Sequence, residues 1–481
     1  MVKTLVKSDE PRSLFRQAMR SLRFRWQSIA GAEYDHEWAS TRPELPDDDI
    51  IKIREQMRAC LERRGGEVAA RARAAALGRA YLALERPGRE RFLRLLATDF
   101  GVDEAKVDEA ILVLQSADSS DARLKARRGL RQALEAPRLH LLTQFNSLPE
   151  GVKFLVNLRA ELLPLARIDP VLQNLEEDLR GLLATWFDVD FLELRRITWD
   201  TASGALLERL IAYEAVHPIE SWDDLKNRLD YDRRYFAFFH PKMPNEPLIF
   251  IEVALVDGIA DNVQALLDAK APVHDPKDAD TAIFYSINNA QRGLDGISFG
   301  SFLIKRVVDQ LTHEFPHIKT FATLSPIPGF MSWLKRVLAE GDADLVVASE
   351  RKALANALGI TMGAKGWLKL QLQSGGDWVE DPATAKVLKP ILMRLCARYL
   401  VKEGRDNGLC LDPVAHFHLT NGARMERLNW LADRSPRGMR QSAGLMINYR
   451  YDLSRIDANH EAYRASGKRA LSSAMKGLLT D

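Results

Sequence analysis

Ala282-Ile283-Phe284-Tyr285-Ser286-Ile287 is a short apolar run, rich in aromatic and β-branched residues, that reads as a strand. The loop Gln291-Arg292-Gly293-Leu294-Asp295-Gly296-Ile297-Ser298-Phe299-Gly300-Ser301 follows it. Residues 301–315 then place Leu303, Val307, Leu311 and Phe315 at four-residue steps, which is one face of a helix. Residues 318–324 read as a further strand. Strand, glycine loop, helix and strand in that order make a βαβ unit, so this part of the chain is α/β. Upstream, Leu248-Ile249-Phe250-Ile251-Glu252-Val253-Ala254-Leu255-Val256 is another strand, closed by Asp257-Gly258.

Before about Trp186 the text has a different character. Ile50, Ile53, Met57 and Leu61 recur at three- and four-residue steps between charged residues. Pro46 and Asp47-Asp48-Asp49 mark the helix start with negative charge where the helix dipole favours it. Gly65-Gly66 breaks the pattern, and a second helix is expected over residues 67–85, ended by Pro87-Gly88. Further amphipathic stretches cover residues 103–116, 122–134 and 155–163, the last stopped by Pro164. Strand-like alternation is absent, so this half reads as an all-helical bundle. Arg123, Lys125, Arg127, Arg128, Arg131 and Arg138 form a charge run whose ordinary reading is a solvated helix face.

The whole chain has 481 residues, which suits two or three domains. Its 68 basic and 66 acidic residues leave a formal charge of +2, which argues against a dedicated nucleic-acid binder but allows a local basic patch. No run of about 18 apolar residues is present, so no membrane-spanning helix is expected. Cys60, Cys396 and Cys410 are scattered, without zinc-type spacing, and suit a reducing compartment. A cytoplasmic location is expected. Arg12, Arg16, Arg20, Arg23 and Arg25 imitate a mitochondrial transit peptide, although Asp9 and Glu10 interrupt that pattern.

Three segments could carry chemistry. The glycines of loop 291–301 allow backbone amides to approach a phosphate at a helix start, although neither a Walker A nor a GxGxxG pattern is present. An ordinary turn would look the same. Ser325, in Leu324-Ser325-Pro326-Ile327-Pro328-Gly329-Phe330, ends a strand where ligand-contacting groups of α/β sheets sit, or it is a cap or turn residue. His416-Phe417-His418, read as a strand, would put both imidazoles on one face, yet no third metal ligand is evident. One imidazole as proton donor and a hydrogen-bonded core histidine both remain open. Tyr449 and Tyr451 also share one face of an extended segment, as core aromatics or as a phenol bonded to the histidine. Residues 424–431 read as a helix.

Taken together, these segments resemble the malonyl-CoA decarboxylase family. The resemblance rests on His240-Pro241, Phe284-Tyr285-Ser286-Ile287, Gly300-Ser301-Phe302-Leu303-Ile304-Lys305-Arg306-Val307-Val308 and Leu324 to Phe330. It continues through Phe417-His418-Leu419-Thr420-Asn421-Gly422-Ala423, Gly444-Leu445-Met446 and Asn448-Tyr449-Arg450-Tyr451, so it is specific over residues 238–452. It implies a helical oligomerisation domain over residues 1–186. An acyl-CoA N-acetyltransferase-like mixed-sheet catalytic domain then covers residues 187–481. It implies catalytic roles for Ser325 and His418, with His416 inheriting none, and a phosphate-binding loop over Asp295, Gly296, Ile297, Ser298, Phe299, Gly300 and Ser301.

The family's acidic residue is replaced here by Ser298, and Tyr451 is expected to orient the histidine instead. The implied reaction turns malonyl-CoA into acetyl-CoA and CO2 with no metal or organic cofactor, in a homo-oligomer taken as a tetramer. No nucleic acid or membrane partner is implied. An acyl-CoA N-acyltransferase on the same fold and a non-enzymatic scaffold are the rival readings.

Overall fold

The structure, a computed structural model, describes Leu22, Trp26 and residues 42–62, 66–187, 191–297, 303–340, 345–358, 363–373 and 377–479. Arg12, Arg16, Arg20, Arg23 and Arg25 lie outside the described residues. Eight described helices come first: α1 (Asp47–Leu61), α2 (Gly66–Ala83), α3 (Arg86–Asp99), α4 (Glu104–Ser116), α5 (Ser120–Ala133), α6 (Pro137–Phe145), α7 (Gly151–Ala166) and α8 (Pro170–Trp186). Their core centres on Trp26, Tyr81, Phe92, Phe145 and Phe154. The Trp26 and Phe154 rings meet edge-on at 5.1 Å, and Trp26 Nε1 donates to the Pro149 carbonyl at 2.8 Å.

One proline expectation holds and one is corrected. α2 ends at Ala83, just before Pro87-Gly88. Pro87 itself occupies the first turn of α3, where its missing N–H would have had no partner. Pro164 lies inside α7, which continues to Ala166. So close to the helix end the ring disturbs few bonds, and burial of Leu158, Leu162 and Ala166 keeps the last turn wound. In the charge run, Arg123, Lys125, Arg127, Arg128 and Arg131 face solvent as expected, whereas Arg138 is buried and paired with Asp178 at 2.7 Å.

A mixed sheet follows. Its strands are β1 (Glu193–Ile197), β2 (Arg233–His240), β3 (Met243–Val256), β4 (Thr281–Asn289), β5 (Thr320–Thr323), β6 (Ser325–Pro326), β7 (Arg424–Asn429) and β8 (Met446–Arg450). β1 to β4 pair antiparallel. Helix α9 (Gly204–Tyr213) and α10 (Trp222–Arg228) lie between β1 and β2 in the chain, α11 (Val263–Leu267) between β3 and β4, and α12 (Leu303–Glu314) between β4 and β5. α13 (Phe330–Glu340), α14 (Ala348–Leu358), α15 (Ala364–Gln373), α16 (Pro382–Val401) and α17 (Pro413–Thr420) lie between β6 and β7, α18 (Pro436–Ser442) between β7 and β8, and α19 (Ile456–Ser466) and α20 (Ser473–Gly477) after β8. β4 and β5 are parallel, so the expected βαβ unit forms. A mixed sheet behind a helical region is the order of parts that the sequence led one to expect. Among the described residues no helix is long and apolar enough to cross a membrane.

The residues expected to be a helix over 424–431 are strand β7 instead, which pairs antiparallel with β8 from Arg424↔Arg450 to Asn429↔Met446. The backbone groups of β8 need a partner on that side, and this demand outweighs local preference.

A short turn is one of the places where the helical region is tied to the sheet domain. Arg159 on α7 donates to the carbonyls of Gly293 (2.7 Å) and Asp295 (2.8 Å). Its other guanidinium edge is held by Glu176 at 2.6 Å. Lys153, also on α7, donates to Gln291 Oε1 at 2.6 Å. Gly293 sits so close to α7 that a Cβ there would lie 1.7 Å from the Val156 carbonyl oxygen. Gly293→Ala is therefore expected to push the turn off α7 and to destabilise the protein by about 1–3 kcal/mol. Thermal unfolding of the variant beside the wild type checks this, and an unchanged melting temperature contradicts it.

Candidate active site

β4 and β5 pair only from Thr281↔Thr320 to Phe284↔Thr323. One more bond, from Leu324 N to the Phe284 carbonyl at 3.0 Å, closes the ladder. Beyond it Pro326 and Pro328 have no N–H to offer β4, and the chain stays paired with β8, from Ala322↔Arg450 on β5 to Ser325↔Ile447 and Pro326↔Met446 on β6. β4 meanwhile continues to Asn289. Two parallel strands therefore part, and Ser325 is the first residue on the departing one.

The side chains at this point form a buried hydrogen-bond chain. Ser325 Oγ lies 2.8 Å from Thr323 Oγ1 and 3.1 Å from His418 Nε2. His418 Nδ1 lies 2.7 Å from the Tyr451 hydroxyl. Tyr449 stacks on the imidazole at 4.4 Å and 23°. Thr323 Oγ1 accepts from the Tyr449 N–H at 3.1 Å and from Ser325 Oγ. With its own proton donated, Ser325 Oγ accepts from Nε2–H, and Nδ1 accepts the Tyr451 hydroxyl proton. The imidazole is therefore neutral. Burial alone pushes its pKa down to about 3, and burial raises the Tyr451 phenol above its ordinary value.

His418 reaches Ser325 from a helix, and this corrects the strand reading of residues 416–418. α17 (Pro413–Thr420) begins at Asp412, whose carboxylate accepts from the N–H groups of Val414 (3.0 Å) and Ala415 (2.9 Å). Pro413 occupies the first turn. Asp-Pro is a helix-start signal, and it was legible before the histidines. Two residues apart on a helix, the imidazoles diverge: His416 Nδ1 meets the Tyr463 hydroxyl at 2.8 Å, remote from Ser325. Tyr449 and Tyr451, in contrast, share a face as expected, and both address His418.

Sequence reasoning missed Thr323, Tyr449 as a stacking partner, and Asp412. The i, i+2 spacing of Thr323 and Ser325 on one strand could have pointed to the first. Asp412 also accepts from the Tyr399 hydroxyl at 3.3 Å and from Gly329 N at 3.4 Å, which holds α17 against the turn after Ser325.

The loop after β4 is described as far as Ile297. Ser298, Phe299, Gly300 and Ser301 lie outside the described residues. Asp295 Oδ1 accepts from Asn289 at 3.3 Å, and burial raises its carboxyl pKa. Gly296 has φ +76°, the left-handed region that glycine adopts without strain. The Ser325–His418–Tyr451 chain and this loop flank the parted ends of β4 and β5.

Fold and site together define a mixed-sheet enzyme with a helical N-terminal region. The sequence pattern of the malonyl-CoA decarboxylase C-terminal domain matches residues 190–481, and that of the N-terminal domain matches residues 100–187. The mitochondrial malonyl-CoA decarboxylase of Rattus norvegicus is 38% identical over 395 residues, covering 79% of each chain. That of Anser anser anser is 37% identical over 477 residues, covering 94% of this chain and 91% of the relative. The crystal structure of malonyl-CoA decarboxylase from Rhodopseudomonas palustris superposes with a TM-score of 0.79 at 43% identity, over 89% of this chain and 99% of that one. The chain belongs to the malonyl-CoA decarboxylase family, a family of carboxy-lyases.

Asp412→Ala removes the α17 cap and leaves buried N–H groups unpaired, so a loss of about 2 kcal/mol is expected in chemical denaturation. An unchanged denaturation midpoint would show that the cap does not hold the helix.

Proposed function

We propose that this chain converts malonyl-CoA to acetyl-CoA and CO2, with His418 as proton donor and Ser325 against the malonyl group. Membership of the family supports the reaction. The single observation that carries the residue roles is the buried chain from Tyr451 through His418 to Ser325 at the parted strands. In this proposal the CoA pyrophosphate lies on the loop Asp295–Ser301. The acyl end enters between β4 and β6.

Breaking the bond between the α-carbon and the carboxylate releases CO2 and leaves the electron pair as a thioester enolate. The Ser325 hydroxyl contacts that group, and water-free surroundings favour loss of the charged carboxylate as a neutral gas. The Nε2 proton of neutral His418 then passes to the α-carbon, while Nδ1 takes the Tyr451 hydroxyl proton. As acetyl-CoA leaves, Nδ1 returns its proton to the Tyr451 phenolate and Nε2 takes one from solvent through the opened site, so the resting tautomer is restored and one proton is consumed per CO2. Tyr451 takes the orienting role that the family's acidic residue would have at Ser298. A carboxylate there would favour the imidazolium, whereas a neutral phenol leaves the ring neutral. The proposal requires no metal and no prosthetic group.

The helical region, residues 1–186, is proposed to join copies of the chain into a homo-oligomer, as a tetramer. Helices α4 and α5 support this, because each buries one residue, Val107 or Ala126, and leaves Ile111, Leu112, Val113 and Leu124 exposed. Three free, buried cysteines suit a reducing compartment, and the proposal places the chain in the cytoplasm.

Purified protein with malonyl-CoA, no added metal, should yield equal acetyl-CoA and trapped CO2. Intact malonyl-CoA, or acyl transfer to an added amine, would overturn the reading. Ser325→Ala and His418→Ala should still bind CoA yet lose about 100-fold or more in turnover, with His416→Ala much milder. Equal losses at both histidines would show the wrong one was chosen. Because His418 is neutral above about pH 3 and the Tyr451 pKa is raised, kcat/KM should be flat between about pH 5 and 8. An inflection near pH 6.5 would make the imidazolium the donor.

A further inference from the structure

Over the whole chain cations and carboxylates nearly cancel, but one cleft concentrates the cations. It lies between β7, α19 (Ile456–Ser466), the segment 468–471 and α20 (Ser473–Gly477), and encloses about 440 Å3. Arg424, Arg455, Lys468, Arg469 and Lys476 line it against one carboxylate, Asp452.

Two of these cations are committed to the fold. Arg424 pairs with Glu426 at 2.6 Å, and Arg469 donates to the carbonyls of Val401 and Glu403. Arg455, Lys468 and Lys476 are exposed, and none of their side chains has a hydrogen-bond or ion-pair partner among the described residues. Asp452 is itself occupied, accepting from Ser454 N (3.1 Å) and Ser454 Oγ (2.7 Å). Packing explains none of the three free cations. Lining one cleft with like charge, they repel one another to the extent that they lie within a Debye length, about 8 Å at physiological salt. A compact anion with several charges relieves that repulsion at once, and lysine ammonium groups meet phosphate as point charges.

The cleft is separate from the parted strands. β8 pairs with β5 and β6 on one side and with β7 on the other. Beyond β7, Met425 is bonded to the segment that forms the far wall, with Met425 N to Ala470 O at 2.9 Å and Ser472 N to Met425 O at 3.0 Å. At about 4.8 Å per strand, the cleft lies roughly 15 Å from the parted β4 and β5.

We propose that this cleft binds a phosphate-rich small anion, of the nucleoside-polyphosphate class, at a site distinct from the thioester site. Its volume is that of a pocket for a nucleotide-sized ligand, within the usual range of about 300–1,000 Å3. The test is calorimetric titration of the full chain with inorganic tripolyphosphate, alone and with saturating CoA. Binding is expected in both conditions, weakening as salt is raised. The triple variant Arg455→Glu/Lys468→Glu/Lys476→Glu should bind about thirtyfold or more weakly while keeping its affinity for CoA.

No heat with the wild type, or undiminished binding by the triple variant, would overturn the site. Loss of binding under saturating CoA would overturn its independence and make it the far end of the thioester site. If the triple variant fails to bind CoA, Lys468→Gln/Lys476→Gln replaces it, with about a tenfold loss expected and no loss counting against the site.

Discussion

The separation of two parallel strands organises the rest of the molecule. β4 and β5 are paired through Phe284 and Thr323, and the ladder ends at Leu324. A parallel pair does not open without a reason, because unpaired backbone groups in a sheet interior are costly. Here the reason is local: two prolines follow Ser325 at alternate positions and cannot donate to β4. The departing segment keeps the pairing with β8 that begins at Ala322 of β5, and β8 comes from far along the chain. The opening is thus encoded by prolines and kept by a distant strand.

At that opening, desolvation sets the chemistry. Among the described residues His418 is buried with a hydroxyl on either side and no carboxylate bonded to it, so the cost of charging it is not offset by any of them. The imidazole bridges two hydroxyls. Its placement depends on Asp412, a buried carboxylate stabilised by helix N–H groups and by the Gly329 N–H across the turn. One side chain thereby sets the relative position of the serine strand and the histidine helix.

The helical region contributes to the sheet domain through its own buried charges. Arg159 and Lys153 reach out of α7 to carbonyl and amide groups of the turn at residues 291–295. A guanidinium this deep is tolerated because Glu176 and two backbone carbonyls complete its bonding. The root of the loop is therefore fixed from outside its own domain, and the left-handed Gly296 follows directly.

Much of this was legible in the residues. The strand at 282–287, the glycine loop and the four-residue steps from Leu303 gave the βαβ unit, because helix and strand periods are local properties. The strings around Ser325, His418 and Tyr451 pointed to a site through resemblance. The structure departs from expectation where local signals compete: at Pro164, which does not stop α7, at residues 424–429, which form a strand and not a helix, and at the two histidines, which lie on a helix and not a strand. Periodicity over six or eight residues cannot tell a short helix from a strand, and the pairing that decides it lies elsewhere in the chain. By itself, then, the amino-acid order determined the element types of its long segments and the prolines that part the sheet. Local residue patterns left both histidines open and resemblance favoured His418 and Tyr451; the tertiary structure brings those two to Ser325 in one hydrogen-bonded chain and leaves the enclosed histidine neutral. Those outcomes depend on burial and on contacts across many residues, and neither is a property of any single stretch.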